Sequence, residues 1–151
     1  RGLGDVYKRQ DNARSIAARI TGALASCGIF SVEMFVSGDD VYFSQVTPRP
    51  SRDGLVTFVT QRINQFDLQA RATQRLPIDS TLISPGAVRF LEGHPSQAAH
   101  AAAMAVEEVT VRMLGDGTLV LATADSAAEA RQRTDEAVRE IHKIDGKPGE
   151  N

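Results

Sequence analysis

The chain has little cysteine: Cys27 is the only one. One thiol closes no intramolecular disulfide, so a reducing, cytoplasmic setting suits the chain better than secretion. A free cysteine is more often a small core residue than a reactive one. No apolar run approaches the ~18 residues that a membrane span needs, and no stretch reads as a secretory signal. A formal charge of −2 leaves no basic surplus for nucleic acid and no acidic block of the kind that keeps a chain disordered. A Walker loop, a GxGxxG turn and a Ser-His-Asp pattern are also missing. His94, His100 and His142 have no metal-ligand spacing and read as surface or helix residues. No internal repeat is visible. What remains is a soluble globular composition, 42% hydrophobic and 24% charged over 151 residues, enough for one domain or two small ones.

The stretch RGLGDVYKRQ, residues 1–10, does not open like a domain. It has no initiator Met and is rich in basic residues and glycine. It matches, residue for residue, one reading frame of a transposase adaptor used to prepare sequencing libraries. It is therefore expected to be an adaptor artefact, left out of fold reasoning. The natural sequence would then begin here at Asp11, as the C-terminal part of something longer.

From Asn12 to Ser26, Ile16, Ile20, Ala23 and Leu24 recur at helical spacing, and Gly28 supplies a stop. Residues 29–36, IFSVEMFV, alternate, with Phe30, Val32, Met34 and Val36 on one face and Ser31, Glu33 and Phe35 on the other. SGDD is a hairpin turn signal, and VYFSQV returns with Val41, Phe43 and Gln45 expected on one face. TPRP ends the strand, because proline donates nothing to a sheet ladder. A helix is expected over Asn64–Gln74, with Ile63, Phe66 and Ala70 inward. Beyond Leu76-Pro77 comes a strand in SPGAVRFLE, an alanine-rich helix over Pro95–Val106, a strand in EVTVRML, a GDG turn and its partner TLVLATA. Ser126 and Glu129 form a capping-box signature for a helix reaching about Ile141. The pattern predicts an α+β fold in two parts, 11–78 and 79–142, with a disordered tail at 143–151.

Glu33 is the first candidate for chemistry. Mg²⁺ is held by one or two carboxylates together with phosphate oxygens, and adjacent antiparallel strands can aim two side chains at one face. The matching place on the return strand holds Gln45. Taken alone, Glu33 equally fits a solvent-facing strand residue. Arg49 lies between Pro48 and Pro50, which stiffen its backbone. Its guanidinium suits a phosphate or a carboxylate, although an exposed loop arginine would look the same.

The run GIFSVEMFVSGDDVYFSQVTPRPSRDGLVTFVTQRINQFDLQARATQRLP, with the later VLATADS, resembles the C-terminal part of ATP-grasp enzymes, and in particular the formate-dependent phosphoribosylglycinamide formyltransferase family of purine biosynthesis. The family pattern G-x-F-x-V-E-x-F-V-x-G-D-x-V-x-F-S-E-V-x-P-R-P is followed through hairpin and loop without a gap, and the likeness extends from about Ile16 to Ala137. The resemblance implies the C-terminal half of an ATP-grasp domain followed by a small β-rich, barrel-sandwich-like domain. It implies ATP and Mg²⁺ as cofactors, with Glu33 and Gln45 at the metal and Arg49 near the transferred phosphate as the catalytic residue. Substrate contacts fall at Arg52 and Asp53. The substrates it implies are small molecules: a carboxylate (formate in the family) activated as an acyl phosphate, and an amine (glycinamide ribonucleotide in the family) that attacks it. It implies neither nucleic acid nor membrane as a partner, and it allows a homodimer of the longer protein.

Four positions depart from the family pattern. Gln45 replaces a glutamate and removes one negative charge from a site that would face a dication. Arg52 stands where the family has a substrate aspartate. Gly115 and Asp116 fall where a pair of arginines meets the substrate phosphate. The readings to weigh are therefore a ligase-like enzyme whose 151 residues alone do not turn over, a non-catalytic relative serving as a binding or dimerisation module, and an unrelated α+β domain.

Overall fold

A computed structural model describes residues 3–147, and residues 148–151 of the expected tail lie outside the described residues. The chain forms two compact units. The first comprises residues 1–54 and 65–79, the second 55–64 and 80–151. The segment 55–64, read from the sequence with the first part, therefore packs with the second.

In the first unit α1 runs from Leu3 to Leu24 as one helix, with Asp5 in its first turn, rather than starting near Asn12. An acidic residue there complements the helix dipole, and no proline interrupts residues 3–24. The hairpin follows, β1 (Ser31–Ser37) and β2 (Asp40–Thr47), closed at Gly38, whose φ of 60° suits glycine. Ile16, Ile20, Val41 and Phe43 line one depression beside α1, and Ala17, Val32 and Met34 another, so the helix covers that side of the sheet only in part and leaves Phe43 and Val36 exposed. Phe35 and Tyr42, on the opposite side, are 61% and 54% exposed.

The helix α3 (Gln65–Thr73) differs from expectation in which face it buries. Leu68 and Gln65 are buried, whereas Phe66 is exposed, as is Ala70. The buried glutamine is explained by its hydrogen bonds, described below.

The second unit has a short helix, α2 (Thr57–Thr60), preceded by a 3-10 turn at Asp53–Val56, neither of which the sequence pattern signals. Its sheet has strands β3 (Gly86–Glu92), β4 (Val109–Leu114) and β5 (Gly117–Thr123), antiparallel in the order β3-β5-β4. The central strand β5 is buried on both faces. Val120 and Ala122 pack under α4 (Gln97–Met104) and α5 (Ala127–Asp145) with Ala99, Ala103, Ala137 and Ile141. Leu119 and Leu121 point the other way, against Leu55, Phe58 and Val59. The described residues form an open three-stranded sheet with α4 and α5 on one face and α2 on the other, so the expected barrel-sandwich form is not confirmed. Three strands do not close a barrel, and the apolar side chains that would face a second sheet are covered by helices.

The capping box read from the sequence forms by half. Ser126 Oγ accepts from the Glu129 N–H at 3.2 Å, while the Glu129 carboxylate turns to Arg133 instead of back to the cap. The α5 helix continues past Ile141 to Asp145, so Lys143, Ile144 and Asp145, expected in the tail, are helical. The reason lies at its end. Asp145 accepts from Ser96 Oγ at 2.6 Å and from Ser96 N–H at 2.7 Å, tying the end of α5 to the start of α4.

Those two bonds, the Ser96 hydroxyl first and its N–H second, hold the Asp145 carboxyl below the usual aspartate value of 3.8. A depressed folded value gives stability that is fully present above 3.8 and is lost as pH falls through the folded value. Because Asp145 is solvent-exposed, the effect is small and screened by salt. Asp145→Asn is expected to lower the thermal midpoint slightly at neutral pH and to converge with the parent chain in strong acid. Parallel melting curves at every pH would contradict this.

Candidate functional site

The hairpin register builds the site. β1 and β2 pair antiparallel, with Glu33 opposite Gln45 but Met34 opposite Phe43, so Ser44 is an extra residue in β2. Such a bulge breaks the two-residue alternation. Directly opposed residues share a face, which places Gln45 with Glu33, and Phe43 with Met34 on the side partly covered by α1. The sequence expectation that Val41, Phe43 and Gln45 share one face is corrected by this extra residue. Without the bulge Gln45 and Glu33 would lie on opposite faces.

Glu33 and Gln45 are both exposed, and Gln45 Nε2 donates to Glu33 Oε2 at 2.7 Å. The amide presents its N–H₂ end to the carboxylate. Turning the amide about its last torsion would bring its carbonyl oxygen beside the same carboxylate. Among the described residues no group of three or more His, Cys, Asp or Glu is arranged to hold a metal. One carboxylate and one amide oxygen fit a hard cation that keeps most of its water and phosphate ligands, as Mg²⁺ does, and fit poorly a cation needing an all-protein cage.

Arg49 follows two residues after the end of β2. Its N–H bonds back to Thr47 O at 2.9 Å. The side chain is exposed and makes no ion pair among the described residues. Arg52 and Asp53 are exposed in the continuation of the same loop, with Asp53 opening the 3-10 turn. The place expected for paired arginines is a tight turn, with Leu114 paired directly to Gly117 and Gly115 at a φ of 52°. The turn is held from outside, since His94 Nε2 lies 3.0 Å from Gly115 O and Gly93 N–H donates to Asp116 O at 2.8 Å.

The sequence reading missed the residues beneath the loop. Gln65, only 3% exposed, accepts from the Ser51 N–H at 3.1 Å and donates through Nε2 to Ser51 O at 2.8 Å. One helical turn later Gln69 Oε1 accepts from the Ile29 N–H at 2.6 Å. Two side-chain amides of α3 thus tie the chain leading into β1 and the chain leaving β2. The only signal in the sequence was two glutamines at i and i+4, a spacing that is as common on solvated faces.

The family model described as the ATP-grasp domain matches residues 5–66. The chain is 48% identical over 136 residues to a protein named formate-dependent phosphoribosylglycinamide formyltransferase from Corynebacterium efficiens, a match covering 82% of this chain and 34% of the relative. To the protein of that name from Rhodococcus jostii it is 40% identical over 145 residues, covering 87% and 36%. Among solved structures it resembles the glycinamide-RNase-transformylase T from Mycobacterium tuberculosis, with TM-score 0.82 and 42% identity, covering 88% of this chain and 41% of that one. The N5-carboxyaminoimidazole ribonucleotide synthetase from Thermotoga maritima shares the fold at TM-score 0.77 and 24% identity, covering 84% and 40%.

Residues 5–66 therefore carry part of an ATP-grasp domain, and the chain has homologues among ATP-grasp enzymes. Among these, the proteins it resembles by sequence are the formate-dependent phosphoribosylglycinamide formyltransferases, and it spans about a third of their length.

Proposed function

We propose that this chain supplies the metal-facing hairpin and phosphate-facing loop of an ATP-dependent ligase or formyltransferase in purine biosynthesis. In the family reaction a carboxylate, formate for the named relatives, is activated as an acyl phosphate and then attacked by an amine. ATP supplies the phosphoryl group, and Mg²⁺ neutralises the charge on it. Glu33, with Gln45 turned to present its oxygen, would hold the cation. Arg49 would meet the phosphoryl oxygens, and Arg52 and Asp53 would contact the substrate. The observation that carries this reading is the bulged pairing that sets Glu33 and Gln45 side by side next to the Pro48-Arg49-Pro50 loop.

The departures favour a changed acceptor. Arg52 inverts the charge where the family has an aspartate. The tight Gly115-Asp116 turn offers no guanidinium fork for a substrate phosphate. A second reading is a non-catalytic relative used for binding or dimerisation. Gln45, Arg52 and Asp116 support it, because a neutral amide stands where the family pattern has a second carboxylate and the substrate contacts differ.

Titrating the 151-residue chain with ATP and MgCl₂, followed by amide NMR, tests the proposal. Shifts are expected at Glu33, Gln45 and Arg49, larger with Mg²⁺ than without. Arg49→Ala should weaken ATP binding about tenfold, the value of one charge-assisted phosphate contact of ~1.5 kcal/mol. Binding that ignores both Mg²⁺ and Arg49 would remove the proposal. The chain spans about a third of its relatives' length, so it is expected to bind without turnover, and steady ATP hydrolysis by it would contradict that expectation.

A further inference from the structure

We infer that Gln65 is a positioning residue for Arg49, an inference that rests on the nucleotide reading above. The backbone between β2 and Ser51 has almost no freedom left. Pro48 and Pro50 each lock their own φ. Arg49 N–H is bound to Thr47 O at 2.9 Å. The segment would still swing at its far end, and there the Gln65 amide holds Ser51 by both its N–H and its carbonyl, at 3.1 and 2.8 Å. Arg49 thus sits on a short bridge pinned at both ends, one end by the β2 ladder and the other by a buried side chain.

Two further observations show that the clamp is built in. Gly54 passes so close that a Cβ there would lie 1.9 Å from Gln65 Oε1, so any side chain at that position would have to displace the Gln65 amide from its place. Gln65 also gives the first turn of α3 its buried residue, in place of the apolar Phe66, which stays exposed. A polar side chain in that position adds less to the core than leucine or phenylalanine would. Its bonds to Ser51 hold the loop that carries Arg49, and Gln69, one turn on, secures the other end of the hairpin at Ile29. The helix α3 therefore sets where the guanidinium stands relative to the Glu33–Gln45 face.

The experiment is a double-mutant cycle on the 151-residue chain, with Mg²⁺·ATP as the probe. Gln65→Met keeps the length of the side chain and removes both bonds to Ser51. It is expected to speed exchange of the Ser51 amide at least tenfold and to weaken Mg²⁺·ATP by about the same factor as Arg49→Ala. In the Arg49→Ala background it should weaken binding no further, because its effect runs through the arginine. A structural role alone would give equal losses in both backgrounds, and that result overturns the inference. So does undiminished binding by Gln65→Met when Arg49→Ala weakens it. If Arg49→Ala has no effect by itself, the nucleotide reading falls first and the positioning role falls with it. Should Gln65→Met not fold, Gln65→Glu carries the same cycle: it keeps the acceptor for the Ser51 N–H and loses the donor to the Ser51 carbonyl.

Discussion

Replacing Gln45 by glutamate is expected to tighten Mg²⁺ binding by about tenfold or more. Gln45 Nε2 now lies 2.7 Å from Glu33 Oε2, so a carboxylate in its place would stand within a few ångströms of the first. Two unit charges at ~4 Å interact by about 1 kcal/mol in water and about 4 kcal/mol where the effective dielectric is 20. The pair is exposed, so the lower figure applies, roughly doubled for a dication. About 1.4 kcal/mol is a factor of ten. The substitution also removes the amide hydrogen bond that a cation must displace. Without metal, the two like charges would push one carboxyl's pKa upward, so the gain should shrink as pH falls through that raised value. A MgCl₂ titration followed by amide NMR measures this. Equal affinity in the two proteins would mean that the Glu33–Gln45 face is not the metal site. In an active longer protein, a rise in Mg²⁺-dependent activity on the same substitution would favour an enzyme with a weakened metal site. No activity in either form would favour the non-catalytic relative.

The second large effect belongs to the sheet of the second unit. Leu119→Ala is expected to cost roughly 2–5 kcal/mol, the range for truncating a buried leucine. Leu119 is fully buried on β5, paired to Phe90 and Arg112, and packed with Leu55, Leu121, Phe58 and Val59. The central strand cannot easily close the gap, because the ladders on both sides fix its backbone. For a chain of this size each kcal/mol moves the midpoint by roughly 2–4 °C, so thermal denaturation should show a drop of about 10 °C. Phe35→Ser, on the exposed side of the hairpin, should stay within about 0.5 kcal/mol. Similar losses in the two variants would mean that β5 is not the centre of the core.

The elements were legible because their signals are local. Alternation in IFSVEMFV, the SGDD turn and the Ser126 cap each involve residues a few positions apart, and each appears where expected. The motif from Gly28 through the proline loop was enough to point to ATP-grasp proteins. The burial of α3 was misjudged because apolar spacing favours Phe66, whereas the backbone of a distant loop selected Gln65.

The sequence by itself thus determined the hairpin, the order of the strands and of every helix but α2, the kinship, and Glu33, Gln45 and Arg49 as the residues to examine. Only the tertiary structure decided that Ser44 is an unpaired extra residue, and that this brings Gln45 onto the face of Glu33. It alone joined segment 55–64 to the second unit and set Gln65 under Ser51. Alternation along one strand carries no record of the register its partner will adopt. A bulge, or an amide bonded to backbone 14 residues away, is chosen by the packing of segments far apart in the chain.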